Sequence, residues 1–180
     1  MEIRLLQESD DRSGFRSGDP ALDRFLQQYA GQNQFRHHVG STYVAVEGGL
    51  VLGFATVAPG HVEIDDLPPR ARRKLPSYPL PILRLGRLAV DESVHGQGLG
   101  RELLRFVLQL ALRLADDYGC VGVLVDAKQG AVSFHEKLGF MTLEVLEGQS
   151  GARPTPVQMF LSISEIRAAR KAELRKGSTR

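Results

Sequence analysis

The spacing of apolar and polar positions predicts a strand-rich α/β fold. Ile3–Leu6 reads as a short first strand. Asp19-Pro20 then opens a helix, with Asp19 as N-cap and Pro20 at the first helical position, and Leu22, Phe25, Leu26 and Tyr29 form its apolar stripe. Thr42–Val46 and Leu50–Val57 follow as adjacent strands joined at Gly48-Gly49, a dipeptide suited to a tight hairpin. A proline-rich connection leads to an apolar strand over Ile82–Val90. From Leu99 the residues Leu99, Leu103, Phe106, Leu110 and Leu114 recur at helical spacing and face the core. Val121–Val125 is a continuous apolar run, as expected of a central parallel strand. A short helix over Gln129–Leu138 closes at Gly139. Phe140–Leu146 and Val157–Ser162 are the last strands, with a turn-rich loop over Gly148–Pro156 between them. The tail from Glu165 to Arg180 is basic, carries Ile166, Ala169 and Leu174 as its apolar residues, and predicts a surface helix.

Two local irregularities point to chemistry. In the strand ending at Val90, Leu83 and Leu85 flank Arg84, but the next apolar pair, Leu88 and Val90, is shifted by one parity. Strict alternation would send one pair to the wrong face. Either an extra residue at Gly86-Arg87 forms a β-bulge, which leaves backbone groups available to a ligand, or the strand is buried on both faces. The second irregularity is His95-Gly96-Gln97-Gly98-Leu99-Gly100, three glycines in a strand-to-helix turn. Glycine permits positive φ and close approach of the backbone, and the helix N-terminus behind it offers unpaired N–H groups and a partial positive charge. Such a turn suits a pyrophosphate. With strand, glycine turn, helix and strand in succession, this region forms a right-handed βαβ unit.

Composition narrows the class. At 180 residues, with 42% hydrophobic and 24% charged content, the chain suits one soluble globular domain. A net charge of +2 is too small by itself to imply nucleic-acid binding. No apolar run is long enough for a membrane span and no signal sequence begins at Met1, which points to an unexported, cytoplasmic protein. The lone Cys120 fits a reducing compartment and reads as a small buried hydrophobe. His37-His38 has no accompanying ligand spacing, so no metal site is expected. The glycine turn comes too late in the chain for a dinucleotide-binding oxidoreductase.

Several motifs together resemble the GCN5-related N-acetyltransferase (GNAT) superfamily. They are Leu85-Gly86-Arg87-Leu88-Ala89-Val90-Asp91, then His95 to Gly100, then Val125-Asp126-Ala127-Lys128, and Ala131 to Phe140. Ser17 to Leu26, Thr42 to Val46 and the strand from Pro81 to Asp91 are similar to a narrower branch, the toxin acetyltransferases of toxin–antitoxin pairs. The resemblance implies a mixed, mostly antiparallel sheet with a bulged fourth strand, a parallel βαβ unit and helices on both faces. It implies a single acetyltransferase domain over 1–164 with a basic helical tail over 165–180. The cofactor implied is acetyl-CoA, and the acceptor is an amine, in the toxin branch the α-amine of aminoacyl-tRNA. A ribbon-helix-helix antitoxin and a homodimer are the implied partners.

Residue by residue, the resemblance gives Leu88, Ala89 and Val90 backbone contacts to the pantetheine arm and thioester. It gives His95, Gly96, Gln97, Gly98, Leu99, Gly100 and Arg101 the pyrophosphate, and places Ser133 and Phe134 near the thiol end. Arg87, within the strand motif, is with His135 a candidate catalytic residue; the alternative is an ion pair with Asp91 or Asp126. The family helix commonly reads Phe-Tyr-Glu, the tyrosine protonating the departing thiolate, whereas this chain has Phe134-His135-Glu136. His135 then either acts as an imidazolium acid, or marks lost turnover, or makes a polar contact beside the site. His95 replaces the usual Arg or Gln, and Lys128 stands near a usual Asn. Glu63, Asp65 and Asp66 are candidate bases, and Arg36, His37, His38, Arg70–Lys74, Arg84 and Arg87 a candidate basic rim for RNA. Alternatives to tRNA acetylation are transfer to a small amine or protein terminus, and a non-catalytic acetyl-CoA-binding module.

Overall fold

Gly48 and Gly49 take φ of +57° and +82°, so Glu47 pairs with Leu50 across a two-residue turn. Positive φ at both central positions is what this tight hairpin turn requires. The strands it joins, β2 (Ser41–Glu47) and β3 (Leu50–Val62), belong to a seven-stranded sheet. The others are β1 (Glu2–Leu5), β4 (Leu80–Val90), β5 (Gly122–Ala127), β6 (Met141–Thr142) and β7 (Val157–Ser162). Their order is β1-β2-β3-β4-β5-β7-β6. The pairs β1–β2, β2–β3, β5–β7 and β6–β7 are antiparallel, and the sheet contains one parallel pair, β4 with β5, adjacent strands joined through a helix. The computed structural model describes residues 1–73, 75–143 and 156–177. Positions 144–146 of the expected strand from Phe140, positions 148–155 of the expected loop, and the last three residues of the tail lie outside them.

The chain divides into two compact units. The first comprises residues 1–58 and 85–109. Its strands bury both faces. On one side Phe15, Phe25, Leu26, Val44, Val51, Phe54 and Ala89 cluster, with Phe15 edge-on and Phe25 stacked against Phe54. On the other, Ala45, Leu99 and Leu103 pack with Leu52, Leu88 and Val90. Successive residues 44 and 45, 51 and 52, and 88 to 90 thus go to opposite faces, the period-two signature of a strand. For Leu88–Val90 this is the expectation of burial on both faces, while Gly86 and Arg87 are successive exposed positions. The register shift described in this unit lies in β2 between Ala45 and Val46.

Helix α1 (Pro20–Arg24) starts as expected, the Asp19 carboxylate accepting from the Ala21 and Leu22 N–H groups. It runs on into two π-helical turns, Phe25–Tyr29 and Gln32–Arg36. This overturns part of the expected stripe: Tyr29 is exposed and Ala30 is buried. In a π turn the Ala30 N–H donates to the Phe25 carbonyl, five residues back, so position 30 rather than 29 follows Phe25 onto the core face. Helix α3 (Leu99–Asp117) corrects the other stripe. Leu99, Leu103, Leu104, Val107, Ala111 and Leu112 are buried, whereas Phe106, Leu110 and Leu114 are half-buried. Its start lies close over β3 because Gly53 has no side chain; a Cβ there would stand 2.9 Å from Leu103 Cδ1 and 3.2 Å from the Ala89 carbonyl oxygen.

The second unit comprises residues 59–84 and 110–180. Val62, Leu67, Leu80, Ile82, Leu124, Leu143 and Phe160 form its core. β5 and β7 pair from Gly122–Ser162 to Ala127–Val157. Cys120 is buried, its thiol donating to the Gly122 carbonyl at 3.2 Å, and burial pushes the thiol pKa up. The short helices α2 (Pro69–Arg72) and α4 (Val132–Glu136) and the C-terminal α5 (Ile163–Gly177) complete it. Ile166 anchors α5 in the core, and Leu174 is exposed. Among the described residues no helix is long and apolar enough to cross a membrane.

Candidate active site

In the first unit the end of β4 passes into the glycine turn through a one-turn 3-10 segment, Glu92–Val94. Asp91 organises it. One carboxylate oxygen accepts from the Ser93 N–H and hydroxyl at 3.1 and 2.7 Å, the other from the Arg16 N–H at 2.9 Å. Burial alone would raise the Asp91 pKa, but these hydrogen bonds outweigh it and hold the group below the usual range. The Asp-x-Ser spacing that signals this cap is visible in the sequence beside the more conspicuous glycines. His95 closes the turn, its Nε2 lying 2.8 Å from the Val90 carbonyl oxygen.

Gly96 and Gly98 take φ of +76° and +89°, and a Cβ at either would meet nothing within 4 Å. Their need for glycine is conformational, and the space around them is open. The N–H groups of His95, Gln97 and Arg101 are used within the turn, bonded to the Glu92, Val94 and Gly98 carbonyls. Those of Gly96, Gly98, Leu99 and Gly100 find no acceptor among the described residues. Of the seven residues expected to line a pyrophosphate, these four offer backbone donors at the N-terminus of a 19-residue helix.

The two arginines of β4 differ. Arg84, in the second unit, is ion-paired with Asp126, donating from Nε at 3.0 Å and also from Nη2, and Gln158 Nε2 donates to the other Asp126 oxygen at 3.2 Å. Its charge is therefore neutralised, and it drops out of the expected basic rim. Arg87, in the first unit, makes no ion pair among the described residues, so the alternative of a pairing with Asp91 or Asp126 is not found. Its guanidinium carbon lies 3.8 Å from the centre of the Phe25 ring instead. The remaining basic residues belong to different units: Arg36, His37 and His38, all exposed, to the first; Arg70, Arg72 and Arg73 to the second, where Arg72 lies 3.6 Å from Asp65. Lys74 is outside the described residues.

α4 carries Ser133, exposed, Phe134, half-buried, and His135, which is 4% exposed. The His135 ring is held edge-on between Phe134, at 5.1 Å, and Phe140, at 5.3 Å, and its Nδ1 is buried without a hydrogen-bond partner. Burial pushes its pKa below the ordinary value of 6.5, because the surroundings disfavour the charged form. This corrects two expectations. Burial thus favours the neutral imidazole over a standing imidazolium, and among the described residues Nδ1 finds no polar partner to cap. Stability follows: below pH 6.5 the unfolded chain takes up a proton that the folded state refuses, so folding free energy is lost as the pH falls. His135→Phe removes that proton. Its melting temperature relative to the parent protein should rise steadily as pH drops from 7.5 to 5, measured by scanning calorimetry; parallel curves would refute the burial argument.

Glu63, Asp65 and Asp66 are exposed carboxylates. All three face solvent, and Asp65 lies 3.6 Å from Arg72.

The Acetyltransferase (GNAT) family model matches residues 3–140. Over 126 residues the chain is 39% identical to the tRNA-acetylating toxin of Mycobacterium tuberculosis, covering 69% of this chain and 74% of that protein. Among solved structures, AtaT complexed with acetyl-methionyl-tRNAfMet superposes with a TM-score of 0.79 at 26% identity, covering 93% of this chain and 98% of that one. A tyrosine-to-phenylalanine mutant of AtaT, bound to the C-terminus of the antitoxin AtaR and acetyl-CoA, gives a TM-score of 0.75 at 25% identity, covering 93% and 96%.

Proposed function

The chain belongs to the GNAT family and is an acetyl-CoA-dependent N-acetyltransferase; we propose that its acceptor is the α-amine of aminoacyl-tRNA. The observation that carries this reading is its kinship with the mycobacterial tRNA-acetylating toxin across most of both chains. The acceptor chemistry agrees. An α-amine titrates near neutrality, well below the ~10.4 of a lysine side chain, so a useful fraction is already deprotonated at pH 7. A site whose candidate carboxylates stay in water suits that acceptor better than a lysine or polyamine, which would need a tuned base.

The residues of the turn fit acetyl-CoA. The unused N–H groups of Gly96, Gly98, Leu99 and Gly100 hold the pyrophosphate, with Arg101 beside them and the His95 ring and Gln97 shaping the loop. In this reading Leu88, Ala89 and Val90 present backbone groups to the pantetheine arm and thioester carbonyl, aided by a bulge at Gly86-Arg87, and Ser133 and Phe134 line the thiol end. Bound acetyl-CoA supplies the activated acetyl group. His135 contributes as a neutral imidazole and is a weakened substitute for the family's tyrosine. Residues 1–164 form the catalytic domain and the basic tail over 165–180 an accessory helix. A ribbon-helix-helix antitoxin, a homodimeric state and a cytoplasmic location complete the proposal.

Gly98→Ala tests the turn. An alanine at φ near +89° costs about 1–2 kcal/mol, so KM for acetyl-CoA should rise roughly tenfold with kcat little changed. An unchanged KM would take the pyrophosphate away from this turn. The acceptor is tested by transfer of labelled acetyl to a charged tRNA pool, with a polyamine and a peptide amine in parallel. Label on aminoacyl-tRNA is the expected result. Label only on the small amines, or no transfer with acetyl-CoA bound, would overturn it.

A further inference from the structure

We propose that Arg87, seated on Phe25, is a specificity residue that binds a phosphate of the acceptor nucleic acid. The inference rests on the aminoacyl-tRNA reading above. Three features of the first unit carry it.

The guanidinium has donors to spare. Arginine presents five N–H donors and cannot discharge at any working pH. In this chain none of them finds a carboxylate among the described residues, whereas Arg84 on the same strand is neutralised by Asp126. One face lies 3.8 Å from the Phe25 ring centre, and burial on that side lowers the pKa, yet the residue as a whole is exposed. An arginine with a covered face and an open edge is a fixed fork, suited to the paired oxygens of a phosphate.

The platform is rigid. Phe25 is 4% exposed and stacks on Phe54, 6.0 Å away, in the unit's aromatic cluster. Resting on it, the guanidinium has lost part of its rotamer freedom before any ligand arrives, which lowers the entropic cost of binding.

The side of the sheet selects which phosphate. Arg87 shares the Phe25 face with Ala89. Leu88 and Val90 point the other way, to the cluster of Leu99 and Leu103 at the start of the helix behind the glycine turn. The fork therefore stands on the opposite face of β4 from the helix that offers its N–H groups to the cofactor pyrophosphate. Its anion belongs to the acceptor.

The test compares Arg87→Lys, which keeps the charge and loses the fork, with the parent protein on two acceptors. One is charged tRNA; the other is 3′-O-aminoacyl-adenosine with a free 5′-hydroxyl, which has the amine and the terminal base but no phosphate. The preference for charged tRNA over aminoacyl-adenosine should fall at least tenfold in the variant, through KM for the tRNA. The slope of log KM for tRNA against log salt should stay nearly unchanged in Arg87→Lys, which keeps the charge, and flatten by about one in Arg87→Gln, which removes it. An undiminished preference in Arg87→Lys overturns the inference while leaving the acceptor reading intact. A parallel rise in KM for acetyl-CoA would assign the fork to the cofactor and also overturn it. A parent protein that transfers nothing to charged tRNA would remove both.

Discussion

Gly122→Ala is expected to cost about 3 kcal/mol of stability, at the upper end for overpacking a core. The added Cβ would overlap Phe160 Cζ and stand 2.5 Å from Phe160 Cε2 and 2.5 Å from the Leu161 carbonyl oxygen. Neither neighbour can retreat cheaply. Phe160 is fully buried among Leu80, Ile82 and Leu124, and the Leu161 carbonyl belongs to the β5–β7 ladder, where Leu161 pairs with Val123. For a chain of this size the melting temperature should fall by about 6–12 °C. Gly130→Ala is the control, since a Cβ there meets nothing within 4 Å and should leave the transition almost unmoved. Combining Gly122→Ala with Phe160→Leu should recover part of the loss, and the coupling in that double-mutant cycle measures the clash directly. A Gly122→Ala protein as stable as its parent would mean that β5 and β7 approach less closely than described.

Replacing His135 by tyrosine should raise kcat on charged tRNA about tenfold or more. General acid catalysis contributes roughly 10²–10⁴ in rate when the acid is well matched and well placed. His135 is poorly matched, because burial between Phe134 and Phe140 holds it neutral and leaves few imidazolium protons at pH 7. A phenol, with a pKa near ~10, carries its proton through the whole physiological range. The two phenylalanine rings accept another aromatic ring in the same edge-on arrangement. His135→Phe keeps that packing without any acidic proton and sets the floor. Single-turnover rates for the three proteins should order as tyrosine, histidine, phenylalanine. A tyrosine variant no faster than the parent would show that His135 is not a degraded acid.

Where the sequence was clear, the chemistry was local. Asp19 and Pro20 fix a helix start whatever surrounds them, and Gly48-Gly49 fixes a hairpin by dihedral freedom alone. The family's motifs were legible in the same way, since a glycine turn before a long apolar helix needs no tertiary context to be read. What failed depended on partners remote in sequence. Arg84 and Arg87 look alike on the strand, and only the fold brings Asp126 to one and Phe25 to the other. The π turns after Arg24 shift Tyr29 outward by a hydrogen-bond pattern that no side-chain spacing announces. The apolar residues of α3 wrap so far round the helix that two neighbouring stripes fit equally well, and only packing selects the one through Leu104 and Val107. His135 stands out in the sequence by its position, but the burial that disfavours its charged form comes from aromatic neighbours, one of them five residues along the chain.

The burial of Cys120 has a practical side. It is the only cysteine in the sequence, it is 8% exposed, and its thiol is held protonated above the ordinary range. Disulfide reagents react with thiolates, so the folded protein is nearly silent toward them. Each acetyl transfer, in contrast, releases one free CoA thiol. A chromogenic disulfide added to the native enzyme therefore counts turnovers against almost no protein background, and a burst of colour from the protein itself becomes a direct signal that the fold has opened around β5.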